Sequence, residues 1–251
     1  MTNGHGGRSH EVWLAYFDSL GTHAPLHRVQ ADLYVQALSD MIGLERSHRV
    51  LDFGSGYGFV AALLAPLARE VHVWDPAASM RRATARSTEG LANVRFCDLT
   101  ALPSLPPGHD ASPPLSPLDL ILVNSVAQYM GPGELWGWLG RWRAMLAPGG
   151  RVVLSDLIPS GHRGRSDVVD LLRLGASYGS PIRGARDALG GFSSYWRANR
   201  AAPLARIDPQ QLAQRAADAG LDMGVLPDNL THFRTRWSAV LRPRGDEARV
   251  P

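Results

Sequence analysis

Apolar positions change their spacing along this chain, and the change divides it into regions. Over residues 1–45 they recur at helical intervals: Trp13, Tyr16, Phe17 and Leu20 fall on one face, and a second amphipathic run extends from His27 to Ile42. From Arg49 onward, short apolar runs alternate with helical segments, the pattern of βαβ units around a parallel sheet. Strands are predicted near 49–53, 71–75, 93–97, 118–124 and 151–157, with two more near 221–226 and 233–241.

Two stretches break the alternation. Residues 103–117, PSLPPGHDASPPLSP, are rich in proline and serine and read as a surface insertion between the third and fourth strands. Residues 160–200, rich in glycine, arginine and aromatic side chains, read as a lid or substrate-binding insertion. At Asp208-Pro209-Gln210-Gln211 the alternation resumes: the aspartate suits a helix cap, the proline a first turn, and Gln211 a capping-box position. The expected organisation is an N-terminal helical cover (1–45), a Rossmann-like core (46–159), the insertion (160–200), the C-terminal part of the core (201–242) and a tail (243–251).

The segment RVLDFGSGYGF places an apolar strand, then Asp52, then Gly54, Ser55, Gly56 and Gly58 directly before a helical run. Glycines there let the backbone turn tightly and approach a ligand closely. The next strand, VHVW, ends in Asp75-Pro76, where a carboxylate can accept hydrogen bonds from both hydroxyls of a ribose. Asp98 closes the third strand, where it can accept from an exocyclic amine. The fourth strand ends in Asn124-Ser125, followed by Gln128 and Tyr129, and a helix ending AMLAPGG turns into the strand RVVLSDLI. These features describe an adenosine-binding crevice. A dinucleotide-dependent oxidoreductase is the competing enzyme reading. The spacing GxGxG differs from the GxGxxG that brings a helix start up to a pyrophosphate, and a YxxxK pair is excluded because the chain has no lysine.

From about residue 49 to residue 157 the chain resembles the class I S-adenosylmethionine (SAM)-dependent methyltransferases. The resemblance implies a seven-stranded, mostly parallel sheet with an antiparallel last strand. It also implies roles: Asp52, Gly54, Ser55, Gly56 and Gly58 hold the methionine portion of SAM, Asp75 with Pro76 the ribose, and Asp98 with Leu99 the adenine. Met80 packs on the adenine face, and Asn124 and Ser125 line the methionine side. NSVAQYM is similar to the corresponding segment of methyltransferases of bacterial secondary metabolism, so natural-product tailoring, antibiotic biosynthesis included, is the expected setting. Each of the three aspartates also fits as a plain helix or turn cap. A SAM-binding regulatory subunit of the same fold, without turnover, remains the alternative from another class.

Methyl transfer is an in-line displacement in which alignment of nucleophile and methyl group dominates, so a base is optional for amines and useful for hydroxyl and carbon acceptors. His23, His27 and Tyr129 are the candidate catalytic residues; Tyr16, Gln128, Tyr129, Tyr178 and Trp196 are the candidate acceptor contacts. Phe192 and Tyr195 extend an aromatic wall, Arg183, Arg186 and Arg197 would suit an acidic or carrier-borne acceptor, and Asp156, His162 and His232 are weaker candidates. Surface and core roles fit most of these side chains equally well.

Composition narrows the picture. All 26 basic residues are arginine, scattered along the chain, and the net charge of +3 lacks the dense basic run of a nucleic-acid groove. The expected partner is a small acceptor, free or carrier-tethered, with a homodimer admitted and neither nucleic acid nor membrane expected. No apolar run approaches the roughly 18 to 20 residues that span a bilayer, and the start lacks the apolar stretch of a signal peptide, which predicts a cytoplasmic protein. The single cysteine, Cys97, agrees with a reducing compartment, and no metal constellation is visible, so metal independence is expected.

Overall fold

The computed structural model describes residues 4–20, 25–100, 117–131, 133–162, 165–177 and 194–245. A seven-stranded sheet in the order β3-β2-β1-β4-β5-β7-β6 forms its centre. β1 (Arg49–Phe53), β2 (Glu70–Trp74), β3 (Val94–Phe96), β4 (Leu118–Asn124) and β5 (Leu146–Leu157) run parallel. β7 (Trp237–Pro243) lies antiparallel between β5 and β6 (Leu221–Val225). This is the expected architecture, with the last strand reversed.

Helices cover both faces, which is why β1, β2 and β4 are almost uniformly buried rather than alternating in burial. On one face, Tyr34, Val35 and Leu38 of α2 (Pro25–Met41) pack with Ala61 and Leu64 of α3 (Phe59–Leu64) against Val50, Val71 and Leu120. On the other, Trp138, Leu139 and Trp142 of α5 (Glu134–Met145) join Leu212 and Ala216 of the helix Pro209–Asp218 around Phe53 and Leu154. The Phe53 ring meets Trp138 and Trp142 edge-on at 4.7 and 5.2 Å, the geometry aromatic quadrupoles favour.

The two N-terminal helices part company in this arrangement. α2 is a layer of the core, because Tyr34 and Leu38 are fully buried against the sheet. α1 (Gly4–Ser19) lies over α4 (Ala78–Ser87) and the strand ends, and the start of α2, at His27, Gln30 and Ala31, also faces the crevice there. α6 (Arg165–Ser177) and α7 (residues 194–201) flank residues 178–193, which lie outside the described residues, as does most of the proline-rich stretch. α8, the helix Pro209–Asp218, starts as expected: the Asp208 side chain accepts from the amides of Gln210 (2.9 Å) and Gln211 (3.0 Å), and Pro209 occupies the first turn.

β5 begins earlier than the pattern suggested. Pro148, Gly149 and Gly150, expected to form the turn before the strand, lie within it, and a register shift between Leu118 and Leu120 absorbs the additional residues. At the opposite, carboxyl end of the sheet, β1 and β4 are neighbours while their following helices diverge. That divergence opens the crevice in which open α/β sheets bind ligands.

Candidate active site

The crevice floor is the loop from Asp52 to Gly58. Gly54 and Ser55 donate their amides to the carbonyl of Trp74 (2.8 and 3.0 Å), which ties the end of β1 to the end of β2. A Cβ on Gly54, where φ is +79°, would stand 2.5 Å from Val126; one on Gly58, where φ is +76°, would stand 2.7 Å from the Cα of Thr84. Only glycine fits either place, for conformation and for space. Thr84 straps the loop further by donating to the carbonyl of Gly56 (3.0 Å).

Two carboxylates rise from this floor. Asp75 accepts from the amides of Gly56 and Ala77, each at 2.9 Å, and one further lone pair on each oxygen remains available. Burial raises its pKa despite those two bonds. Asp52 is 3% exposed, and its Oδ2 has no hydrogen-bond partner among the described residues. Burial first, and the neighbouring charge of Asp75 second, push its pKa up to about 7, against a bond from the amide of Ala61. A buried carboxylate oxygen without a donor costs free energy until a cation or donor meets it.

The crevice opens into a cavity of about 400 Å³ that runs from Asp52, Gly54, Gly56 and Asp75 to the underside of α1. Its roof is aromatic. Trp13 is 4.7 Å from Tyr129 and 5.7 Å from Tyr195 between ring centroids, Phe17 stands 5.0 Å from Tyr129, and Tyr16 stands 6.0 Å from Tyr195. The Trp13 indole donates to the carbonyl of Ala202 at 3.1 Å, fastening α1 to the end of α7. Burial raises the phenol pKa of Tyr16 to about 12 and moves Tyr129 and Tyr195 upward too. Burial thus favours the protonated, hydrogen-bond-donating form of these phenols, Tyr129 among them.

At one end of the roof His10 approaches Glu134, with Nδ1 3.4 Å from Oε1, and both side chains line the cavity. At the other wall a buried network holds the ends of β4 and β5. Asp156, 1% exposed and at φ +67°, accepts from Arg236 (2.6 Å), Ser125 (2.8 Å) and Thr231 (2.9 Å), and Arg236 also reaches Asp167 at 2.7 Å. Ser125 itself has φ +57°, so two strained residues are locked together beside the cavity.

The structure brings together most residues singled out from the sequence. Asp52, Gly54, Ser55, Gly56, Asp75, Pro76, Met80, Asn124, Ser125, Tyr16, His27, Tyr129, Tyr195 and His232 line one cavity. Others stand elsewhere. Gly58 supports the loop from beneath; Leu99 is fully buried in the core; Asp98 is exposed and capped by Thr100, whose hydroxyl and amide it accepts from at 2.6 and 2.9 Å. Gln128 is buried behind the wall with its amide 3.4 Å from Asp156, and His162 is paired with Asp167. Trp196 is 58% exposed and outside the lining, because successive helix residues diverge by about 100° and Tyr195 takes the inward direction. Arg197 is exposed as well, while His23, Tyr178, Arg183, Arg186 and Phe192 lie outside the described residues. Sequence reasoning missed His10, Glu134, Thr231 and Phe233, which also line the cavity. None of these four carries a local motif.

Fold and crevice together define the class I methyltransferase architecture. Residues 51–152 match the family model described as a methyltransferase domain. Among curated proteins the chain is 36% identical over 123 residues to a protein-L-isoaspartate O-methyltransferase of Anaeromyxobacter dehalogenans, covering 48% of this chain and 52% of that protein. A second protein of that name from another strain of the species is 34% identical, with 57% and 61% covered. The chain thus spans about half to three fifths of the length of these relatives. A solved structure described as a DhpI–SAH complex superposes with a TM-score of 0.58 at 18% identity, covering 95% of this chain and 98% of that one. The YcgJ protein of Bacillus subtilis superposes at 0.52, also with 18% identity, covering 78% and 70%. At such identities the likeness is one of fold. Among the described residues no group of three or more His, Cys, Asp or Glu side chains is placed to hold a metal ion, and no helix is long and apolar enough to cross a membrane.

Proposed function

We propose that this chain transfers a methyl group from SAM to a small organic acceptor seated beneath the aromatic roof. The orphaned Oδ2 of Asp52 carries the reading. It sits buried beside a glycine loop, and the α-ammonium of a methionine portion is a cation of the right size and sign to pair with it. Asp75 has lone pairs left for ribose hydroxyls, and Met80 and Pro76 offer apolar surface on the same side. When bound, SAM supplies an electrophilic methyl group on a sulfonium that departs as a neutral thioether.

The chain's own contribution is alignment and exclusion of water. Trp13, Tyr16, Phe17, Tyr129 and Tyr195 enclose the far half of the cavity, where an apolar or flat acceptor would be oriented by ring faces. The relatives' name raises a carboxylate acceptor as a second reading. The carboxylates Asp52, Asp75 and Glu134 in the lining oppose that choice, since a further anion would meet like charge. The likeness of NSVAQYM to secondary-metabolism enzymes supports a tailoring role.

Calorimetric titration with SAM, S-adenosylhomocysteine, NADH and NADPH tests the cofactor. Micromolar binding of the two sulfur nucleosides alone is expected, and heat from the nicotinamides alone refutes the reading. Formation of S-adenosylhomocysteine with small phenols, amines or an isoaspartyl peptide then tests the acceptor class, with no turnover expected on the peptide.

A further inference from the structure

Among the described residues three histidines line the cavity, and their surroundings separate them. His232 Nε2 faces the side-chain amide of Gln30 at 3.4 Å, so its acceptor lone pair is engaged there. His27 stacks on Tyr57, with centroids 5.1 Å apart, on the cofactor side. His10 is placed differently: Nδ1 faces Glu134 Oε1 at 3.4 Å, and the pair closes the aromatic end of the cavity. Glu134 is held in turn by the amide of Gly131, which donates to Oε2 at 2.9 Å. A carboxylate on Nδ1 keeps the proton on that nitrogen and leaves Nε2 as the acceptor, the arrangement by which a histidine becomes a directed base.

We infer that His10, oriented by Glu134, accepts the proton of the acceptor, and that the acceptor is therefore a hydroxyl compound, an apolar phenol or alcohol. This rests on the methyltransferase reading above and names its substrate class. As the hydroxyl oxygen forms its bond to the methyl carbon, the hydroxyl proton passes to His10 Nε2. The electron pair of the broken carbon–sulfur bond stays on sulfur, and the imidazolium that results is neutralised by Glu134. No oxidant or reductant is needed.

The Glu134 side chain beside it raises the His10 pKa, opposed by burial and helped by the charge of Glu11 on α1; Arg141 on α5 acts on Glu134. A base of raised pKa takes the proton more strongly and works only above that pKa, so kcat rises with pH through the His10 titration. The roof tyrosines cannot substitute, because burial keeps them protonated.

The first test is optical. Protein saturated with S-adenosylhomocysteine is titrated with 4-nitrophenol below the pKa of the free phenol, and the phenolate absorption band is followed. The expected result is growth of that band on binding, lost in His10→Gln and weakened in Glu134→Gln. Binding without the band, or no binding of the phenol, overturns the inference; absence of heat with S-adenosylhomocysteine alone refutes the methyltransferase reading instead. NMR titration of the His10 ring supplies the second readout. Glu134→Gln lowers the His10 pKa and carries the acid limb of kcat down with it, and His10→Gln lowers kcat at least roughly 100-fold with the SAM affinity held within about threefold. An acid limb that stays in place in Glu134→Gln overturns the assignment.

Discussion

The two halves of the cavity are built on different principles. The cofactor half is backbone and buried carboxylate: Gly54 and Gly58 leave room for close packing, loop amides are tied to Trp74 and Asp75, and Asp52 waits with an orphaned oxygen. The acceptor half is side chain: five aromatic rings from α1, the turn Ala127–Tyr129 and α7, with a histidine and a glutamate at its end. Rigid strand ends fix the first half, whereas the second depends on how a peripheral helix docks. The same molecule therefore combines a half fixed by backbone with a half fixed by side-chain packing.

The largest effect that would sharpen this contrast comes from Trp13→Ala. Removing a 2%-exposed indole from the roof costs about 3–5 kcal/mol, felt locally as the release of α1, with amide hydrogen exchange accelerated through residues 4–19. SAM affinity should change by less than about threefold, since the indole packs on the acceptor side. Loss of SAM binding in step with α1 would show the two halves to be one unit.

Asp75→Ala attacks the other half. The variant should fold, with SAM binding weaker by about 1–3 kcal/mol in calorimetry, the range for losing a charged hydrogen-bond partner. Unchanged affinity in a folded variant would remove ribose recognition from Asp75.

A smaller and pH-dependent effect belongs to Asp52. Its folded pKa of about 7 lies above the unfolded value of 3.8, so the folded chain binds more protons between those limits. Stability is therefore highest below pH 3.8 as far as this residue contributes, and is lost as pH rises through about 7. Asp52→Asn should raise the Tm of the ligand-free protein at pH 8 and weaken SAM binding. In the wild type, a cationic ligand needs the ionised form: affinity should fall by up to roughly tenfold per pH unit below about 7, with proton release seen in buffers of different ionisation heat. A flat affinity profile from pH 5.5 to 8 would deny Asp52 that pairing.

The smallest effect expected is at the seam between the halves. Asp18 of α1 accepts from the amide of Ser79 (2.8 Å), capping α4 from another helix, and the Ser79 hydroxyl donates to the carbonyl of Phe17 at 3.0 Å. Asp18→Ala should cost about 1 kcal/mol in denaturant unfolding, the usual worth of a cap. No change would mean that the Asp18 cap adds nothing to the hold of the roof.

Legibility in the sequence follows the same division. The strands were visible because a sheet covered on both faces favours short, largely apolar runs, and the cofactor loop because glycine spacing and strand-end aspartates are local constraints on the backbone. The helix cap at Asp208 and the reversed last strand were foreseen on the same grounds and from the family resemblance. What tertiary structure alone decided is which side chains meet. His10 and Glu134, or Trp13 and Tyr195, are far apart in the chain, and nothing local marks them as partners; docking of α1 onto the strand ends makes them neighbours. Docking likewise set Tyr195 rather than Trp196 toward the cavity, and packed Tyr34 and Leu38 of α2 into the core while His27 and Gln30 of the same helix line the cavity. Backbone constraints are written into adjacent residues, whereas a cavity wall is written into the packing of whole elements, and that is why the cofactor half could be read and the acceptor half had to be seen.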